Sequence, residues 1–263
     1  MRAMNIAATG MQAQQTNVEV ISNNIANMNT TAYNRRLPEF TDLLYQNVQR
    51  VGTYSSDNNT IVPSGIQLGL GVKTTSVYRA TEQGPLSNTN NSLDVAVQGK
   101  GYFQITLPDG STGYTRDGTF ALSASGEIVT SEGYPVQPGI TIQNNALSVT
   151  INSSGQVSTT LPGQTTPSIA GQLKLANFPN EAGLEAQGSN LFLQTASSGS
   201  PISSTPGSAG FGTILQGYLE QSNVNVVSEV TNLISAQRAY EMNSKVIQTA
   251  DTMMQTTSQL KSA

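Results

Sequence analysis

The sequence predicts an α+β fold in which N- and C-terminal helices pack as a coiled-coil-like layer and an antiparallel β-rich central domain is inserted between them. Three observations predict it. Towards the C-terminus Leu219, Val226, Leu233, Tyr240, Ile247 and Met254 recur at intervals of seven, the period of a helical seam. At the N-terminus Met4, Met11, Val18 and Ile25 repeat at the same interval, with Ala7, Ile21 and Met28 in a companion row. Between them, from Leu93 to Leu219, short apolar runs alternate with Gly-containing turns, which is the pattern of an antiparallel sandwich or partly open barrel. The expected divisions are 1–34 for the first helix, 35–91 for a connecting segment with a long excursion at 49–62, 92–220 for the β-rich domain and 221–263 for the last helix.

Taken in order, the first helix carries one polar residue, Gln14, in its companion row. It is expected to weaken from Ser22 to Thr31, where Asn and Thr side chains compete for backbone hydrogen bonds. Glu39 to Val48 is expected to form a short amphipathic helix started at Pro38, and Gly52 to Thr60 a polar loop. Ile66 to Tyr78 is strand material broken by Gly69 and Gly71, closed by a turn at Gln83-Gly84-Pro85. Strands are expected at Leu93–Val97, Tyr102–Leu107, Thr119–Leu122, Leu147–Ile151, Leu173–Phe178, Asn190–Thr195 and Thr213–Leu219, with a loop over Ala196–Gly212. In the last helix Ala239, Val246, Met253 and Leu260 form a second row of sevens, so the apolar stripe is wider than a two-stranded coiled coil needs. One helix cannot bury such a stripe. Ser222 or Ser228 is the expected cap, and neither Gly nor Pro interrupts from Gln221 onward.

Composition removes whole classes of function. The 263 residues suffice for one large domain or two small ones. Charged residues are 11%, against about a quarter in an average domain. A net charge of -4 supplies no field for a phosphate backbone, so no nucleic-acid partner is expected. No apolar run is long enough to span a membrane, and the N-terminus lacks the basic and continuous apolar regions of a cleavable signal. Cys and His are both absent, which excludes thiol and imidazole nucleophiles, His-based triads and the usual zinc sites. Asp109 and Asp117 each precede a Gly and read as turn formers. No catalytic residue, metal ligand or cofactor site is therefore expected. Arg35-Arg36 reads as a solvated pair or a helix C-terminal charge.

Two further runs carry a resemblance. Near the start stand Asn23, Asn24 and Asn27, followed by Thr30-Thr31-Ala32-Tyr33. Near the end stand Gly217, Tyr218, Ser222 and Asn223 within Gln216–Val224, with Arg238 and Tyr240 in Gln237–Glu241 and Asn243-Ser244-Lys245 downstream. These resemble the two terminal signatures of the flagellar basal-body rod and hook family. Leu93–Phe103 and Tyr114–Gly118 are similar to that family's central β-domain, so nearly the whole chain is covered. Length and the Phe40–Gln46 run point within it to a distal rod subunit, the proximal rod paralogue being the nearest competitor. Ala32, where many relatives have Gly, and Tyr33, where many have Phe, are departures. The resemblance implies a structural subunit, not an enzyme, that self-assembles into a helical tube crossing the periplasm and transmitting torque. Its implied partners are copies of itself, the proximal rod proteins, the hook protein, the surrounding P and L rings and the flagellar type III export apparatus. Pattern alone also admits a secreted β-rich adhesin on a closed helical stalk, or a glycan hydrolase using two carboxylates.

Overall fold

A computed structural model describes residues 2–49, 65–164 and 166–262, and the polar loop expected over Gly52–Thr60 lies outside them. The chain divides into two compact units, one made of Met1–Ala26, Arg36–Arg79 and Asn225–Ala263, the other of Asn27–Arg35 and Ala80–Val224. The first holds helix α1 (Arg2–Ala26), strands β1 (Arg36–Asp42), β2 (Tyr45–Gln49), β3 (Ile66–Gly69) and β4 (Val72–Arg79), and helix α2 (Val226–Ser262). The two helices lie antiparallel, since Gly10 faces Asn243 while Asn24 meets Glu229. At 37 residues α2 runs about 55 Å, at ~1.5 Å per residue.

Both helices are shorter than expected. The Asn225 side chain accepts from the Ser228 amide at 3.1 Å, so Asn225 and neither Ser222 nor Ser228 caps α2. Leu219 keeps the spacing of seven but lies on a strand, before the helix begins. Similarly α1 ends at Ala26, leaving Met28 in the turn beyond it.

The helix expected over Glu39–Val48 is also corrected, because strands occupy it. β1 pairs antiparallel with β4, with a bulge between Glu39 and Phe40, and β2 pairs with β3. Long-range pairing overrides the local pattern there. Pro38 is tolerated opposite Val77 because each strand of a two-stranded sheet has a free edge.

Among its described residues the regular structure of the second unit is β apart from one short turn of 3₁₀ helix at Glu181–Gly183. Its strands are β5 (Leu86–Asn88), β6 (Val95–Gln98), β7 (Tyr102–Thr106), β8 (Thr112–Thr115), β9 (Phe120–Leu122), β10 (Ile128–Thr130), β11 (Ser148–Ile151) and β12 (Gln156–Thr160). Then follow β13 (Ser168–Gln172), β14 (Leu175–Asn177), β15 (Glu185–Gly188), β16 (Leu191–Leu193), β17 (Ile202–Ser204), β18 (Thr213–Gln216) and β19 (Tyr218–Glu220). The largest sheet has the order β15-β16-β8-β7-β14-β17, so β17 supplies an edge strand inside the expected Ala196–Gly212 loop. All pairing is antiparallel. A three-stranded sheet β11-β12-β13 and the pairs β9–β10, β6–β18 and β5–β19 complete the unit. Its core gathers Phe103, Ile105, Val157, Leu173, Leu175 and Ile214, all essentially sealed from solvent. Beside it Tyr102, Tyr114, Phe178 and Phe192 meet edge to face, Tyr114 and Phe178 with centroids 4.8 Å apart.

Candidate assembly surface

The face that α1 and α2 present to each other is small and polar. An added Cβ on Gly10 would sit 2.9 Å from the Asn243 amide nitrogen, so the absence of a side chain permits the close approach. Asn24, buried at the other end, uses its amide as a strand would: its oxygen accepts from the Arg36 amide and its nitrogen donates to the Arg36 carbonyl, both at 2.9 Å. The same nitrogen reaches the buried Glu229 carboxylate at 3.2 Å. Gln14, Asn17, Asn24, Arg36, Glu229 and Asn232 border a groove of about 370 Å³ here. Among the described residues α2 buries two side chains, Glu229 and Ala236. Glu229, Ala236 and Asn243 are themselves seven apart, and this is the row turned to α1. Sequence reasoning missed it because a Glu and an Asn at that spacing do not read as a contact row.

The predicted apolar rows flank this contact and stay open. Ile21 is buried; Met4, Met11, Val18, Ile25, Leu233 and Ile247 are half-buried; Val226, Tyr240 and Met254 are exposed. The companion row is barer still, with Met253 64% and Leu260 77% exposed. Tyr240 and Val18 border a largely apolar groove of about 340 Å³ between the helices. Asn23 and Arg238 face solvent.

In the second unit the remaining signature residues hold a junction together. Gly217 adopts a φ of 77° between β18 and β19, a left-handed conformation that favours glycine, and its amide donates to the Asp94 carbonyl at 2.7 Å. Tyr218 follows on β19, paired with Asn88. The Asn223 side chain binds two separate segments, accepting from the Arg35 amide at 2.7 Å and donating to the carbonyls of Ala80 at 3.0 Å and Glu82 at 2.8 Å. Ser222 is buried and accepts from the Val224 amide. Asn27 accepts from the Thr30 hydroxyl, which shapes the turn before Ala32.

A buried ion pair that the sequence did not single out completes this junction. Arg116 Nε donates to Glu220 Oε2 at 2.8 Å, with both side chains almost fully buried. The other Glu220 oxygen accepts from the Gly84 amide, and its backbone carbonyl accepts from Ala32. The remaining Arg116 nitrogens reach the carbonyls of Val97, Gly99 and Gly101. The available signal was Arg116 within Tyr114–Gly118, a stretch read for its turn and for its likeness to the family's central β-domain and not for a buried charge. Asp117 does shape that turn, accepting from the amide and hydroxyl of Thr119. Asp109 likewise accepts from Ser111, hydrogen bonds that hold its carboxyl below the usual range. No cluster of three His, Cys, Asp or Glu side chains suited to a metal occurs among the described residues, and no helix there is long and apolar enough to cross a membrane.

Such a chain, with its buried polar groups engaged in holding segments together, has the organisation of a structural protein. Comparison with known proteins narrows that class. Residues 4–33 match the profile described as "Flagella basal body rod protein", 96–159 that of "Flagellar hook protein FlgE/F/G D1 domain" and 215–260 that of "Flagellar basal body rod FlgEFG protein C-terminal". The chain is 60% identical over 262 residues to the flagellar basal-body rod protein FlgG of Caulobacter vibrioides, covering all of both chains. It is 53% identical to that of Agrobacterium fabrum, over 96% of this chain and 97% of the relative. It is 35% identical to that of Bacillus subtilis, over 99% of each. The chain belongs to the flagellar basal-body rod family.

Proposed function

We propose that this flagellar rod subunit, a structural component of the bacterial basal body, builds the distal rod as an open helical tube. Within it the helices of successive copies pack as a coiled-coil-like layer. The contact rows are Met4, Met11, Val18, Ile21 and Ile25 on α1, and Val226, Leu233, Tyr240, Ile247 and Met254 on α2. In this reading 1–34 and 221–263 carry assembly, 92–220 forms the folded body and 35–91 connects them. One observation carries the proposal: α1 and α2 meet through Gly10, Asn24, Glu229, Ala236 and Asn243, while the apolar rows beside that contact remain half open. A helix with no partner but α1 would turn its apolar rows inward, because burial stabilises by roughly 25 cal/mol per Å² of apolar surface.

The family resemblance supports proximal rod proteins and hook protein as neighbours along the axis, the P and L rings as the surrounding structures, and the flagellar type III apparatus as the export route. Sedimentation of purified subunit tests the core of the reading. Truncating a buried Leu or Ile to Ala costs about 2–5 kcal/mol, and ~1.4 kcal/mol changes an equilibrium tenfold. Leu233→Ala and Ile247→Ala are therefore expected to raise the critical concentration by an order of magnitude or more, with the exposed Gln248→Ala nearly silent. Equal pelleting of all three variants would sink the proposal.

A further inference from the structure

All seven methionines of the chain lie within residues 1–28 and 242–254, and Ala80–Val224 contains none. Cys, His and Trp are absent. Thioethers are therefore the most readily oxidised side chains, and they are confined to the segments assigned to assembly. On α2, Met242, Val246, Met253 and Leu260 stand four, seven and seven residues apart, which places them on one helix face. This stripe is uncovered: Met242 is 68% exposed and Met253 64%, whereas Met4 and Met11 are half-buried.

We propose that this exposed stripe is buried between copies together with the rows above, and that Met242 and Met253 within it are an oxidation-sensitive modification site through which peroxide chemistry controls assembly. The step balances with a hydroperoxide as oxidant: one oxygen atom passes to the thioether sulfur, which is oxidised by two electrons to the sulfoxide, and hydrogen peroxide is reduced to water. A flexible apolar side chain becomes a polar one carrying a strong acceptor. Of its neighbours on that face, Val246 and Leu260 have no side-chain donor and the Thr249 hydroxyl already donates to the Lys245 carbonyl, and burying an acceptor without a donor is unfavourable. The oxidised subunit is thus kept out of the copy-to-copy contact. Reduction of the sulfoxide restores it. This inference rests on the assembly reading above, and its test separates the two.

The full-length subunit is treated with hydrogen peroxide, its oxidised positions are mapped by peptide mass spectrometry, and its critical concentration is measured by sedimentation. At a limiting dose of peroxide Met242 and Met253, at 68% and 64% exposure, are expected to oxidise before Met28 at 40%, Met254 at 37% and the half-buried Met4 and Met11, and assembly is compared at that dose. The critical concentration then rises about tenfold or more, equivalent to at least ~1.4 kcal/mol. Treatment with methionine sulfoxide reductases reverses the rise. The β-rich stretch Ala80–Val224, which has no methionine, keeps its thermal transition. A Met242→Leu/Met253→Leu subunit assembles as the parent does and is unmoved by peroxide. Unchanged assembly after complete oxidation of both residues overturns the proposal and leaves the assembly reading intact. So does earlier oxidation of Met4 and Met11, or a peroxide response that survives in the double variant. If the untreated subunit assembles at no concentration, the assembly reading fails and this proposal fails with it.

Discussion

The two units dispose of their apolar residues in opposite ways. In Ala80–Val224 the large side chains turn on one another, and Phe103, Ile105, Leu175 and Val157 are sealed. In α2 the large apolar side chains are half or wholly exposed, while a glutamate and an alanine are the ones buried. The β-rich unit has a core of its own, and its strand ladders satisfy its backbone. The helices satisfy their interior backbone groups too, but much of their apolar surface is left half or wholly exposed. If the helices carry assembly as proposed, stability and assembly are separable within one chain.

Cutting the chain at that division is the largest expected effect. A fragment of residues 80–224, the β-rich unit without Asn27–Arg35, is expected to show a cooperative thermal transition and to form no filament at any concentration, as read by calorimetry and sedimentation. Its N-terminal limit matters. A fragment beginning at Leu93 loses β5, the partner of β19, and the Gly84 amide that binds Glu220. It should therefore melt below the longer fragment. Polymerisation of either would place the lattice in the β-rich unit and dissolve the contrast.

Next in size is the ion pair. Removing one partner of a buried pair costs roughly 3–5 kcal/mol, because the other charge is left uncompensated. Arg116→Met and Glu220→Gln are each expected to lower the stability of the β-rich unit, by about that much for the first and less for the second, which keeps hydrogen-bonding capacity. Replacing both residues with apolar ones restores many buried pairs. Here it is not expected to, since Arg116 also serves the carbonyls of Gly99 and Gly101 and Glu220 serves the Gly84 amide. Denaturant titration of the singles and of Arg116→Met/Glu220→Met decides it. Full recovery in the double variant would mean that those backbone groups find other partners.

What was legible in the sequence follows the range of the interactions. Of the strands between Leu93 and Leu219, β6, β7, β9, β11, β14, β16 and β18 were legible from their own short β-branched or aromatic runs, whereas β8, β10, β12, β13, β15 and β17 were not read as strands, their runs being short, polar or Gly-containing. Both helices were legible from their spacing, though not their ends, since Leu219 continues the period of α2 across a strand. Glu39 to Val48 was misread as a helix because its strand identity is conferred by residues twenty to thirty-seven positions downstream, such as Thr74 opposite Phe40 and Leu68 opposite Gln46. The contact row Glu229–Ala236–Asn243 was hidden for a related reason. Its residues pair with particular partners on α1, and polar side chains announce burial only when those partners are known. Asn24 and Asn223 stood out in the family signatures, yet their work as backbone clasps becomes readable only with Arg36, Ala80 and Glu82 in place.

The smallest effect sharpens the same contrast at a single backbone angle. Ala32 has a φ of 55°, a conformation in which a side chain is strained, and it is held there by its hydrogen bond to the Glu220 carbonyl at 2.8 Å. For a residue bearing a Cβ this region costs about 1–2 kcal/mol, and glycine would relieve it. Glycine also gives the unfolded chain more freedom, worth roughly 0.5–1 kcal/mol, and the buried methyl of Ala32 would be lost, which removes about 0.8 kcal/mol of burial. The terms nearly cancel. Ala32→Gly is therefore expected to stay within about 1 kcal/mol of the parent by denaturant titration, whereas the larger, β-branched Ala32→Val should lose about 1–3 kcal/mol by crowding a filled site. Were glycine the more damaging of the two, the methyl's packing and not the backbone angle would be what residue 32 contributes to the junction.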